Sequence, residues 1–169
     1  MKGERMPVLV VMGVSGVGKT TLATLVATRL GWPFEEGDAL HPEANVKKMA
    51  AGHPLTDDDR TPWLERIAAW IDERVAAGGA GVITCSALKR SYRDILRRPD
   101  VVFVHLTGPK EVTAARLAAR TGHFMPPTLL DSQLATLEPL APDENGFEVS
   151  TALTREQQVD EVVARLSAD

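Results

Sequence analysis

The sequence predicts an α/β fold of three layers, a five-stranded parallel sheet flanked by helices. Three observations carry that reading. Short apolar runs alternate with segments of helical period, the pattern of a parallel sheet with crossover helices. The first apolar run leads directly into a glycine-rich loop, and the loop into an amphipathic helix. No internal repeat or low-complexity linker breaks the alternation, so the 169 residues read as one domain, 1–169, long enough to bury a sizeable core.

The elements follow in order. Pro7 to Met12 is a buried strand, and a helix runs from Lys19 to Leu30 with Leu22, Leu25 and Val26 on one face before Gly31 ends it. Phe34 to Gly37 reads as a short second strand. Residues 38–60 are irregular and rich in Pro, Asp and Gly, with one helix near Pro42 to Ala51. Leu64, Ile67, Ala68, Ile71 and Val75 recur at helical spacing, which predicts a helix over Thr61 to Ala77 stopped by Gly78-Gly79. Gly81 to Thr84 is the third strand, Lys89 to Arg97 a helix, and Val101 to Leu106 the fourth strand. Helices are expected over Lys110 to Arg120 and Thr128 to Leu137, with a loop containing Gly, His and Pro between them. Phe147 to Ser150 is the last strand. Thr154 and Gln157 form a capping box for a final helix lined by Val159, Val162, Val163 and Leu166. Ligands of such a sheet sit beyond the carboxyl ends of its strands.

Composition excludes several classes. Hydrophobic residues are 44% and charged residues 25%, ordinary for a globular protein, and the net charge of −4 disfavours general nucleic-acid binding. The single cysteine, Cys85, permits no internal disulfide and fits a reducing compartment. No apolar run approaches membrane-spanning length, and residues 1–6 lack the apolar stretch of a targeting signal, so a cytoplasmic protein without membrane contact is expected.

The segment Gly13-Val14-Ser15-Gly16-Val17-Gly18-Lys19-Thr20 matches the phosphate-loop pattern in full. Glycines let successive backbone N–H groups turn inward as an anion nest, and the helix that follows points its positive end at the same place. Lys19 reaches the β and γ phosphates, while Thr20 offers its hydroxyl to Mg²⁺ and Thr21 is a further candidate for binding ATP. ATP with Mg²⁺ is the expected ligand. The third strand does not end in an aspartate, and Asp38, after the second strand, is the nearest substitute.

Further segments are more specific. They are Gly37-Asp38-Ala39-Leu40-His41-Pro42, then Asn45 with Lys47-Lys48-Met49, then Pro54 through Leu64, which includes Asp57-Asp58-Asp59-Arg60. Cys85-Ser86-Ala87-Leu88-Lys89-Arg90 with Tyr92-Arg93-Asp94 follows, then Arg116, Arg120 and Gly122-His123-Phe124-Met125, and finally Ser132-Gln133 with Leu137-Glu138-Pro139. In this order the chain resembles the P-loop gluconokinases, relatives of shikimate kinase and the nucleoside monophosphate kinases. The resemblance implies a P-loop kinase fold with a mobile lid over about residues 116–133. It also implies a homodimer, and transfer of the γ-phosphoryl of MgATP to the terminal hydroxyl of D-gluconate, giving 6-phospho-D-gluconate and ADP.

Gluconate is a carboxylate carrying many hydroxyls, so its site needs cationic forks and short polar groups. Asp38 is the candidate for orienting the acceptor hydroxyl or taking its proton. His41 reads two ways, as a substrate contact or as a support of the Asp38 loop. Arg60 is expected at the substrate anion, whereas most of the Asp57-Asp58-Asp59 run reads as a solvated acidic turn that caps the next helix. Lys89 and Arg93, four apart, are expected to clamp the substrate, with Ser86 donating to a substrate oxygen. Of Lys47 and Lys48, Lys48 is expected to face substrate, and His123 to reach it from the lid. By the resemblance, Arg116 and Arg120 would close on ATP and neutralise transition-state charge. Cys85 reads as a small buried residue.

Overall fold

The computed structural model describes residues 7–14, 17–53, 55–119 and 127–167. Strand β1 (Val8–Met12) is followed by helix α1 (Lys19–Leu30), β2 (Phe34–Glu35), a 3-10 turn (Gly37–Leu40) and α2 (Glu43–Ala50). Helix α3 (Asp57–Ala76), β3 (Gly81–Thr84), α4 (Arg90–Leu96) and β4 (Val101–Thr107) come next. Helices α5 (Lys110–Ala119) and α6 (Pro127–Thr136), β5 (Gly146–Ser150) and α7 (Arg155–Ser167) complete the order.

The sheet is parallel in every pairing, in the order β2-β3-β1-β4-β5. Strand β1 lies at the centre because all five of its residues are apolar and buried, as a strand covered on both faces requires. Val8 pairs with Gly81 on one side and Val101 on the other, so the three strands begin level. The chain leaves β1 toward the β2 edge and later crosses back to β4, which opens a crevice outside the carboxyl ends of β1 and its neighbours.

Most predicted elements form where expected, with instructive differences. Helix α1 buries Leu22, Ala23, Val26 and Ala27, but Leu25 is 40% exposed and lies off that face. Gly31 ends the helix in the left-handed region, φ 71°, returning its N–H to the last carbonyls. Strand β2 is shorter than predicted. Gly37 instead turns into the 3-10 segment and packs so closely on β3 that a Cβ there would lie 1.7 Å from the Thr84 carbonyl oxygen.

Helix α3 begins four residues before the predicted Thr61, so the Asp57-Asp58-Asp59 run, exposed at Asp57 and Asp58, forms the acidic first turn that caps the helix. The reason is a capping box. The Thr56 hydroxyl accepts from the Asp59 N–H at 3.1 Å, and the Asp59 carboxylate accepts from the Thr56 N–H at 2.9 Å. Three carboxylates also suit the positive end of the helix. Pro62 sits inside α3, near its start, where it removes only the bond to the Asp58 carbonyl. The predicted box at α7 is present, with Thr154 and Gln157 exchanging bonds at 2.9 and 3.1 Å.

Candidate active site

The phosphate loop leaves β1 at Gly13, whose φ is 147° and where a Cβ would lie 2.6 Å from the Leu106 carbonyl oxygen. Val14 and Val17 are buried, so their side chains anchor the loop in the core. Ser15 and Gly16 lie outside the described residues. Gly18 caps α1 at φ 96°, a left-handed conformation that favours glycine. The Lys19 ammonium donates to the Val14 carbonyl at 3.2 Å, spanning the loop. Thr21 is exposed on the first turn of α1.

The Thr20 hydroxyl donates to Glu36 Oε1 at 2.6 Å. Glu36 Oε2 accepts from the Thr84 hydroxyl at 2.8 Å, and Thr84 Oγ1 accepts from the Gly37 N–H at 2.9 Å. Glu36 therefore joins the ends of β2 and β3 to the start of α1. Sequence reasoning missed it and assigned the acidic position beside the phosphates to Asp38. Its signal in the sequence is an acidic residue just past the second strand, hidden when that strand is taken to run to Gly37. A threonine hydroxyl beside a carboxylate is a set of hard oxygen donors, which suits Mg²⁺. Among the described residues no group of three or more His, Cys, Asp or Glu side chains is arranged to hold a metal alone.

Asp38 stands on the 3-10 turn with its side chain 71% exposed, and its Oδ1 is 4.0 Å from His41 Nε2. His41 is buried. Its ring stacks on Trp63, with centroids 4.1 Å apart and planes at 15°, and Asn45 Nδ2 lies 3.2 Å from Nδ1. Burial, with Arg60 nearby, lowers the imidazole to about 4, so it is neutral at pH 7. This placement sets the His41 ring beside the Asp38 turn. Trp63 Nε1 donates to the Gly37 carbonyl at 2.8 Å and holds the turn itself.

The expected cations group around the start of α3. Lys89, at the N-terminal boundary of α4, donates to Asp57 at 3.1 and 3.3 Å, and Tyr92 donates its hydroxyl to the same carboxylate. Arg60 donates to the Leu55 carbonyl at 2.6 Å and to the Tyr92 oxygen at 3.3 Å, with its guanidinium 5.4 Å from the Tyr92 ring centre. The hydrogen bonds from Tyr92 and Lys89 hold Asp57 below the usual carboxylate range. Lys48 pairs with Asp59 at 2.6 Å, and that bond, with the Thr56 N–H, lowers Asp59 to about 2. Ser86 is half-buried beside the phosphate loop, its carbonyl accepting from the Gly13 N–H at 3.3 Å.

Arg93 departs from expectation. It does not share an open face with Lys89, for its side chain is 1% exposed and forms a two-pronged pair with Glu144 at 2.6 and 3.0 Å. It also donates to the Ala87 carbonyl at 2.8 Å. Ala87 has φ 47°, so Arg93 secures a strained corner of the loop that carries Ser86. The Glu144 partner lies 51 residues on, at a distance no helical spacing reveals. Cys85 is buried as expected, its thiol pushed up to about 12 by burial.

Arg116 lies on α5, while Arg120 and His123 lie outside the described residues. A basic residue that sequence reasoning did not weigh is Arg155, in the first turn of α7. A Cβ on Gly18 would come within 2.2 Å of its guanidinium, which donates to Gln158 at 3.0 Å.

A family model described as an AAA domain matches residues 8–140. The gluconokinase of Gluconobacter oxydans is 55% identical over 163 residues, spanning 95% of this chain and 92% of that protein. The crystal structure of a gluconokinase from Sinorhizobium meliloti is 48% identical, with a TM-score of 0.86 over 97% of this chain and 94% of that one. A sugar kinase from Janibacter is 51% identical, with a TM-score of 0.91 over 96% of this chain and 95% of its own. Among the described residues no helix is long and apolar enough to cross a membrane.

Proposed function

The chain belongs to the gluconokinase family of P-loop kinases, and from that premise we propose that it transfers the γ-phosphoryl group of ATP to the terminal hydroxyl of D-gluconate, giving 6-phospho-D-gluconate and ADP. The observation that carries this reading is the 2.6 Å bond from Thr20 to Glu36, because it joins the phosphate loop to the turn that bears Asp38. Donor and acceptor subsites then share one crevice at the carboxyl ends of the strands.

Catalysis in this reading is positioning and charge stabilisation. The loop from Gly13 to Thr20 holds the phosphates, and Lys19 follows the charge that develops on the β–γ bridge. Thr20 and Glu36 would hold Mg²⁺ or its water. Bound there, the ion would neutralise phosphate charge. Asp38 accepts the proton of the acceptor hydroxyl as its oxygen bonds phosphorus and the bond to ADP breaks. Lys89 and Arg60 face the gluconate carboxylate, with Ser86 and Lys48 beside its hydroxyls. Arg116 and Arg120 act from a lid over about residues 116–133 that closes on ATP, and His123 reaches the substrate from it. Assembly as a homodimer belongs to the same reading, and sedimentation velocity tests it.

A coupled ADP-release assay across gluconate, other sugar acids, shikimate and nucleoside monophosphates tests the assignment. Turnover is expected with gluconate. Turnover with another acceptor and none with gluconate would remove the acceptor while keeping the kinase.

A further inference from the structure

We propose that His41 is a positioning residue for Asp38, presenting a neutral Nε2–H to the Asp38 carboxylate in a tautomer set by Asn45. The inference rests on the reading of Asp38 as the group that receives the acceptor's proton.

The tautomer follows from donor and acceptor chemistry. Asn45 Nδ2 lies 2.9 Å from the Asp59 carbonyl oxygen, and a backbone carbonyl only accepts. The amide nitrogen of Asn45 must therefore face that carbonyl, which fixes the amide against a flip. The same nitrogen lies 3.2 Å from His41 Nδ1. An amide nitrogen only donates, so Nδ1 accepts, and the one proton of a neutral ring sits on Nε2. Nε2 faces Asp38 Oδ1 at 4.0 Å. The imidazole is pinned, its side chain 4% exposed and stacked on Trp63, while the Asp38 side chain is 71% exposed and free to turn. A small rotation of the carboxylate closes that gap to a hydrogen bond.

Trp63 ties both partners together. Its ring supports His41, and its Nε1–H holds the Gly37 carbonyl at the start of the turn carrying Asp38. Arg60 on α3 acts on the ring and opposes a second proton, while the Asp38 carboxylate lies 4.0 Å from Nε2. This matters for the chemistry. An imidazolium would form an ion pair with Asp38 and weaken it as a proton acceptor. A neutral N–H orients the carboxylate and leaves its charge for the incoming proton.

Three measurements test this. Ring ¹⁵N NMR of the unaltered protein at pH 7 should show His41 neutral with its proton on Nε2. A proton on Nδ1, or an imidazolium, would overturn the proposal. In steady-state kinetics His41→Ala should lower kcat on the order of tenfold to hundredfold, with both KM values changed less than about threefold. His41→Gln, whose amide nitrogen reaches the place of Nε2, should recover most of the loss, whereas His41→Asn, which reaches only the place of Nδ1, should not. Equal losses for Gln and Asn, or a rise confined to KM, would refute the role. Finally, His41→Gln and His41→Ala should each add little to the loss in an Asp38→Asn background. Losses that multiply independently would refute the coupling. If Asp38→Asn alone keeps normal turnover, it is the assignment of Asp38 that fails.

Discussion

The Thr20 hydroxyl donates to the Glu36 carboxylate at 2.6 Å, a bond between the first turn of α1 and the end of β2. Both residues come from polar positions at element ends, and the fold brings them together at the carboxyl end of β2, beside β3. Glu36→Gln keeps the shape and the bond to Thr84 but removes the charge. We expect kcat to fall on the order of a hundredfold and the Mg²⁺ concentration for half-maximal rate to rise, with the melting temperature little changed. Rates measured across a Mg²⁺ series check this. A loss of stability with an unaltered Mg²⁺ requirement would make Glu36 a scaffold residue only.

Gly18→Ala meets two obstacles. The left-handed φ of 96° costs a side-chain-bearing residue about 1–2 kcal/mol, and the new methyl runs into the Arg155 guanidinium. ATP binding should weaken at least about tenfold, since that cost falls on the loop that cradles phosphate. Adding Arg155→Ala should restore the steric share and leave the backbone share, which calorimetric titration of the two variants can separate.

Removing Arg93 should disturb folding before it disturbs substrate binding. Burial alone would raise the Glu144 carboxyl, and the bonds from Arg93 and the Ala141 N–H outweigh that, leaving it below the usual range. Arg93→Met strands Glu144 as a buried unpaired charge, and a loss of roughly 3–5 kcal/mol is expected in urea unfolding. The double substitution Arg93→Met with Glu144→Leu should lose less than the single one. A stable Arg93→Met protein with only a raised KM for gluconate would return Arg93 to the substrate site.

Acid should destabilise the protein in a window set by histidines. Burial lowers His41 to about 4 and also lowers His105, whose ring lies 3.7 Å from Glu148 across β4 and β5. The unfolded chain binds these protons near the ordinary value of about 6.5, whereas the folded chain resists them. The His41 contribution is therefore complete above about pH 6.5 and is lost as pH falls toward 4, and His105 acts in the same direction. Melting temperature measured from pH 7.5 to 4.5 should decline steadily, and His41→Gln should flatten part of that slope.

Local chemistry made much of this molecule legible. The phosphate loop needs glycines, a lysine and a threonine at set spacings because the backbone itself builds the anion nest. Strand β1 reads as buried because it is apolar throughout, as a strand covered on both faces must be. The apolar spacing of Leu64, Ile67, Ala68 and Ile71 places the start of α3 too late, because the Thr56–Asp59 capping box begins the helix at Asp57 before any apolar residue appears.

What the sequence determined alone is therefore the kind of element at each place and the phosphate-binding half of the site, both written in neighbours along the chain. The tertiary structure alone decided which polar side chains meet. Glu36 reaches Thr20 and Thr84 from 16 and 48 residues away, and Arg93 turns inward to Glu144 across 51. Charge and hydrogen-bonding capacity belong to a residue, but partner and burial belong to the packing of distant strands. That is why the phosphate loop could be read directly from its spacing, while Glu36 beside it could not.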